Sequence, residues 1–338
     1  IEGDKGNYAV AADRAKSIME QVKAQGGNPD AYSALLAVYD YYDKLRDIPA
    51  PEVERPATDV SVPVSIEKVK LPVSVDPKGE RGTHILIPVT IHGNNYRFIF
   101  DTGAGTSYMS EQFARQVGVQ IVNDSLMINQ GLEGAAWGRM GTLDSMQIGD
   151  MTFRNSLIAV ATANKLDSIM TVDAVLGMDF IRLFDEFRIY PKEGRIVFPV
   201  VPEKLPSSGR NLLLFDKALK LKAESQGESL RLHFDTGCTG AGLYYTYYNK
   251  HKEELDAVGR REIRTGGGFN VIRKSEILCL PAFTMTVGGT KVELRNLAVN
   301  IDEAGIQIAG DDGIIGMNLV NPFHCVVVNL KDMFLKLE

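Results

Sequence analysis

The sequence predicts a mainly β protein of two homologous lobes, preceded by an α-helical hairpin. Three observations carry that expectation. The hydrophobic period changes from 3.6 to 2 after about residue 60, three landmarks recur in the same order along the chain, and proline-rich stretches separate the parts. The composition agrees with a folded chain, since 44% of the 338 residues are hydrophobic and 24% charged. At roughly 100 to 200 residues per domain this length makes two or three units.

Charge narrows the partners. Lys and Arg total 37 against 43 Asp and Glu, a net charge of −6, which is the wrong sign for a protein that lives on phosphate backbone, so no nucleic-acid partner is expected. No run reaches the roughly 18 to 20 apolar residues of a membrane-spanning helix. Cys238, Cys279 and Cys325 are odd in number and lack paired metal-ligand spacing, so free, packed thiols are expected. His84, His92, His251 and His324 form no metal pattern, and neither metal nor organic cofactor is expected.

Residues 1–48 read as two helices. Val10, Ala11, Ala15, Ile18, Met19 and Val22 fall on one face before Gly26-Gly27 breaks the pattern. Asn28 then supplies an N-cap with Pro29 behind it, and Tyr32, Leu35, Leu36, Tyr39 and Tyr42 form a second stripe, read as hairpin core or docking surface. Residues 49–59 form a linker, because closely spaced prolines oppose both helix and ladder hydrogen bonds. A first β lobe over 60–205 begins with the alternation of Val60, Val62, Val64 and Ile66, resumed by Ile85, Ile87, Val89 and Ile91 before a turn at His92-Gly93-Asn94-Asn95. Short helices are expected at 110–117, closed by Gly118, and at about 246–258, closed by Gly259. The proline-bearing stretch 199–209 leads to a second β lobe over 206–338.

The repeat is the most informative feature. Phe100-Asp101-Thr102-Gly103 returns as Phe234-Asp235-Thr236-Gly237 after 134 residues. Phe153-Arg154-Asn155 returns as Leu294-Arg295-Asn296 after 141, and Val175-Leu176-Gly177-Met178 as Ile314-Ile315-Gly316-Met317 after 139. Similar offsets in one order indicate duplication with small loop insertions. An Asp-Thr-Gly occurs by chance only about 0.05 to 0.1 times in such a chain, so two at matched places point to a shared site. Either copy alone reads as an Asx-turn closing a hairpin.

On these residues, the chain from about 80 to 338 resembles the aspartic peptidases. Each lobe of that family supplies one Asp-Thr/Ser-Gly loop, braced from behind by a hydrophobic-hydrophobic-Gly segment. Here the bracing glycines are Gly177 and Gly316, 76 and 81 residues after their aspartates. Asp101-Thr102-Gly103-Ala104 followed by Ser107-Tyr108-Met109-Ser110 is similar to the retroviral branch. Both copies on one chain resemble bacterial retropepsin-type proteins, so a dimer is not required for the site. The resemblance implies retropepsin/pepsin-like β-barrel lobes related by pseudo-twofold symmetry, with a peptide or protein as substrate.

It also implies roles. Hydrolysis of a peptide bond needs one group to take a proton from water and another to give one, and a lone Asp cannot do both. Asp101 and Asp235 would form that dyad, sharing a proton because two adjacent carboxylates cannot both ionise cheaply. Thr102 and Thr236 would cross-brace the loops, while Gly103 and Gly237 let the backbones approach. A flap over the cleft is expected at Gly131, Gly134 and Trp137, or at Gly266, Gly267 and Gly268. Pepsin-type chains carry Ser after the triad where this one has Ala104 and Cys238, which bears on how the second carboxylate is held.

His233 alternates onto the side of its strand that carries Asp235 and is read as structural, Asp311-Asp312 as a turn, and Cys238 as a packed thiol. The functional expectation is an aspartic endopeptidase. The alternatives are a catalytically impaired peptide- or protein-binding module and a surface scaffold acting through the hairpin. The bacterial resemblance, with the start at Ile1, gives a periplasmic or cell-envelope expectation.

Overall fold

The Asn28 side chain accepts a hydrogen bond from the Asp30 backbone N–H at 2.9 Å, and Pro29, which has no N–H to leave unpaired, opens the helix Pro29–Lys44. In the computed structural model, which describes residues 2–70, 80–129, 135–161, 172–215, 217–267, 272–305, 307–308 and 310–338, this helix packs on another over Tyr8–Ala24. The buried residues of that first helix are Tyr8, Ala12 and Ala15, whereas Val10 and Ile18, expected on the packed face, are exposed. Small side chains let packed elements approach closely, so the face of Ala12 and Ala15, with Tyr8 at its end, turns inward, and Val10 and Ile18 stay outside. Tyr8 and Leu45 pack against Met140 and Ala159, and Lys44 Nζ donates to Asn123 Oδ1 at 3.2 Å. The helical hairpin is thereby seated on the strands that follow.

Those strands make the chain mainly β. Among the described residues they form sheets of nine, eight and five strands. Alternation places Ile85, Ile87, Val89 and Ile91 of strand Glu80–Ile91 in the core, and His92 and Gly93 both take positive φ in the turn to strand Asn94–Phe100. Ser110 caps the helix Glu111–Gln116 by accepting from the Phe113 N–H at 3.1 Å. The helix expected at 246–258 forms as two, Tyr245–Lys250 and Lys252–Val258, parted at His251, whose ring stacks on Tyr247. Gly259 is extended there and makes no left-handed cap. The linker also departs from expectation. Glu52–Glu54 pairs with strand Met151–Ala161, and its ladder is possible because Pro49, Pro51 and Pro56 all lie outside those three residues.

The two large sheets share one strand order. In the first, apart from the ninth strand Glu52–Glu54 on the edge of Met151–Ala161, it runs Ser65–Lys70, Glu80–Ile91, Asn94–Phe100, Ala174–Leu176, Tyr108–Ser110, Met151–Ala161, Ala135–Ile148, Gln120–Asn129. In the second it runs Leu212–Phe215, Ala218–Ser225, Glu228–Phe234, Gly313–Ile315, Ala241–Leu243, Thr290–Asn300, Ile272–Val287, Arg260–Gly267. The landmark asparagines Asn155 and Asn296 both take a left-handed backbone, φ 54° and 52°, which Asn tolerates better than most residues.

The five-stranded sheet joins the halves. Its order is Val60–Pro63, Arg195–Phe198, Glu186–Tyr190, Val326–Asn329, Phe334–Leu337, with Phe187 opposite Val328. Buried Glu186 is satisfied there by Arg188 at 2.7 Å, by Asn329 Nδ2 at 2.7 Å and by the Glu203 N–H at 2.8 Å. Phe187 packs edge-on against Phe100, ring centres 5.1 Å apart, so the joining sheet backs directly onto the strand that delivers Asp101. Phe187→Ala would leave a large void at that junction, and its urea-unfolding midpoint should report a loss of about 3–5 kcal/mol.

Candidate active site

Each Asp-Thr-Gly sits where an apolar strand ends beside a parallel neighbour. Phe98 to Phe100 pair with Ala174 to Leu176, and the Asp101 N–H continues the ladder to the Leu176 carbonyl at 3.0 Å. In the second half Leu232 to Phe234 pair with Gly313 to Ile315, and the Asp235 N–H reaches the Ile315 carbonyl at 2.9 Å. The strand supplies position and the glycine supplies the exit. Both loops are Asx-type turns: Asp101 Oδ1 accepts from the Gly103 and Ala104 N–H groups at 2.8 and 3.0 Å, and Asp235 Oδ1 from the Cys238 N–H at 2.9 Å.

Four buried hydrogen bonds lock the loops together. The Thr102 N–H donates to Thr236 Oγ1 and the Thr236 N–H to Thr102 Oγ1, both at 3.0 Å. Each hydroxyl then donates onward across the junction, Thr102 to the Phe234 carbonyl at 2.8 Å and Thr236 to the Phe100 carbonyl at 2.6 Å. Both threonines are fully buried, so water cannot substitute for these partners. The glycines close the remaining distance. A Cβ on Gly103 would lie 2.2 Å from Asp235 Cγ, and one on Gly237 would lie 2.3 Å from Asp101 Oδ2. Each carboxyl therefore rests on the other loop's glycine, and the two come within hydrogen-bonding reach of one another.

Burial, then the Asp101 charge, then the hydrogen bond to Asp101 push Asp235 well above the ordinary carboxylate range. The arrangement can hold one proton between two oxygen acids, which is the equipment for moving a proton onto one group while taking it from another.

The bracing glycines are placed alike. A Cβ on Gly177 would meet the Ala104 carbonyl at 2.6 Å, and one on Gly316 the Cys238 carbonyl at 2.0 Å. The Met178 and Met317 N–H groups bond those same carbonyls at 2.7 and 2.9 Å. Cys238 does not hold the second carboxylate with its side chain. Its backbone does so, while the thiol contacts the Gly240 carbonyl at 3.6 Å and is pushed up to about 12 by burial and by Asp235. The three cysteines are free.

Of the flap positions, 131, 134 and 268 lie outside the described residues. The Trp137 backbone pairs with Met127 in a hairpin of strands, and Gly266 and Gly267 pair with Arg273 and Ile272 in another. His233 does not reach the dyad. It meets Lys220 Nζ at 3.2 Å, beside the Lys220–Asp311 ion pair, and burial with the Lys220 charge lowers it to about 4. Asp311, read as a turn residue, is thus a buried counter-ion that also pairs with Arg231 at 3.2 Å.

Two contributors escaped the sequence reading. Asp179 Oδ1 accepts from the Ser107 hydroxyl at 2.7 Å and the Ser107 N–H at 2.8 Å, while Ser107 Oγ accepts from the Gly177 N–H at 2.9 Å, tying the first loop to its brace. The repeat offsets put Ala241 and Asn318 at the matching positions, so one copy alone carries this pair. His84 is the other: its Nε2 lies 2.7 Å from the Gly237 carbonyl.

Residues 87–183 match the model of a family described as gag-polyprotein putative aspartyl protease. The matched stretch contains Asp101 and its Gly177 brace, and over that segment it supports a likeness to the aspartic peptidase superfamily. No curated protein matches the chain.

Removing one partner of a buried reciprocal pair leaves the other unsatisfied. Thr102→Val and Thr236→Val should each cost about 1–3 kcal/mol in chemical denaturation, and the double variant less than their sum. The raised Asp235 sets a pH trend as well. The folded chain keeps a proton that the unfolded chain releases in the ordinary carboxylate range, so its contribution to stability falls as pH rises from there through the elevated value. Asp235→Asn, which cannot ionise, should gain stability relative to the parent across that window, and thermal melts at acidic and neutral pH measure it.

Proposed function

We propose that this protein is an aspartic endopeptidase in which Asp101 and Asp235 activate water between two homologous β lobes, residues 60–205 and 206–338, related by a pseudo-twofold axis. The observation that carries the reading is the reciprocal Thr102–Thr236 bonding, because it brings two carboxyls from distant parts of the chain to a shared hydrogen bond. The common strand order of the two large sheets and the aspartyl protease family match support it.

The chemistry follows from one proton on the pair. One member of the pair holds it and gives it to the scissile carbonyl oxygen, while its ionised partner takes a proton from the attacking water. Oxygen adds to carbon and yields a tetrahedral diol. Its collapse breaks the C–N bond: the carboxyl that gained the water's proton passes it to the leaving amine nitrogen, the other takes a proton back from a diol hydroxyl, and the dyad carries one proton throughout. An extended peptide would reach the pair by strand-like hydrogen bonding along the cleft. Cys238 raised the prospect of an impaired second loop, but its backbone N–H still bonds the Asp235 carboxyl, which favours turnover over binding alone.

Incubation with denatured protein from acidic to neutral pH should give cleavage by the parent and a loss of about 10²-fold or more in Asp235→Asn. Because the pair must keep its one proton, the rate should fall as pH rises through the elevated range. A rate that climbs steadily above neutrality contradicts the dyad, and binding of denatured protein without cleavage by either form points to a peptide-binding module.

A further inference from the structure

The start of strand Glu80–Ile91, in the first half, lies against the loop that carries Asp235. Gly82 passes so close to Thr239 that a Cβ there would sit 1.9 Å from the Thr239 carbonyl oxygen. Asn321 Nδ2 donates to Thr83 Oγ1 at 2.9 Å, and His84 Nε2 is 2.7 Å from the Gly237 carbonyl oxygen. Three consecutive residues thus press on the second half beside the dyad.

A carbonyl oxygen only accepts, so the ring nitrogen facing it must carry the hydrogen. Nδ1 is then a bare acceptor in the neutral ring, and among the described residues it is buried without a partner. Charging the ring would add a buried N–H with no acceptor for it among the described residues. Burial indeed lowers the proton affinity of His84, outweighing the Gly237 bond and the Asp101 charge. Among the described residues, the other charged groups on its face are Glu67, directly across on strand Ser65–Lys70, and Arg97, which Glu67 binds at 2.8 Å.

Gly237 is also the residue on which the Asp101 carboxylate rests. His84 therefore holds from one side the peptide unit that supports Asp101 from the other. We propose that His84 is a positioning residue: its Nε2–H fixes the Gly237 carbonyl and so sets where the Asp101 carboxylate lies relative to Asp235. The kinetic part of this rests on the peptidase reading.

The test compares the parent with His84→Phe, which keeps a flat ring and loses the donor, and His84→Gln, whose amide N–H replaces it. With a peptide substrate, kcat should drop about tenfold or more in His84→Phe with KM within about twofold, and His84→Gln should recover most of the loss. An unchanged kcat in His84→Phe, or equal losses in both variants, overturns the proposal. Should the parent cleave nothing, the peptidase reading fails by itself, and carbon NMR titration of the aspartate carboxyls decides for His84. A dyad titration that moves in His84→Phe and returns in His84→Gln supports the positioning role, and identical titrations in all three overturn it. Should His84→Phe not fold, nitrogen NMR of the parent ring replaces it: a neutral ring protonated at Nε2 supports the role, and one protonated at Nδ1 overturns it.

Discussion

Four buried hydrogen bonds between Thr102, Thr236 and the carbonyls just before the two aspartates are the constraint on which the rest depends. Two carboxyls repel when both are ionised and are costly to bury, so the one hydrogen bond they share does not by itself assemble them. The threonines overcome that by giving each loop a donor and an acceptor that only the other loop can satisfy. Everything behind them serves to keep the loops in register. The parallel strands at 174–176 and 313–315 extend the ladders to the aspartate N–H groups, and Gly177 and Gly316 admit the neighbouring carbonyls at distances no side chain would allow.

Stiffness in the loops would accomplish little if the halves could slide. The five-stranded sheet opposes sliding, since it interleaves Glu186–Tyr190 with Val326–Asn329 and backs Phe187 onto Phe100. Buried Glu186 adds geometric selectivity, because Arg188 and the Glu203 backbone of its own half leave room for Asn329 of the second half, whose amide reaches the carboxylate only in the joined arrangement. His84 works at the same boundary from the other end, being a first-half residue bonded to a second-half carbonyl.

Much of this was legible in the sequence because the signals were local and repeated. Period-two alternation marked the strands, Asn28-Pro29 and Ser110 marked helix starts, and two copies of Phe-Asp-Thr-Gly marked the loops. What escaped depended on partners distant in the chain. Glu52–Glu54 gave no strand signal among prolines, yet the free edge of Met151–Ala161 recruits it. Val10 and Ile18 fitted a helical face, but the alanine face packs more closely. His84 looked like an isolated histidine because its partner is a backbone carbonyl 153 residues away, and carbonyls leave no mark in a sequence. The bond between Ser107 and Asp179 escaped for the opposite reason, since a repeat displays what its copies share and this pair belongs to one copy.

The joining sheet also sets an order of events during synthesis. Its outermost strand, Phe334–Leu337, occupies the last residues of the chain described here, while Thr102 waits for a loop made 134 residues after its own. A ribosome therefore releases the first sheet with its aspartate loop unpartnered, and the paired carboxyls assemble only once the second loop has emerged. The growing chain carries half a centre, and a half-centre of this kind has no second acid with which to act.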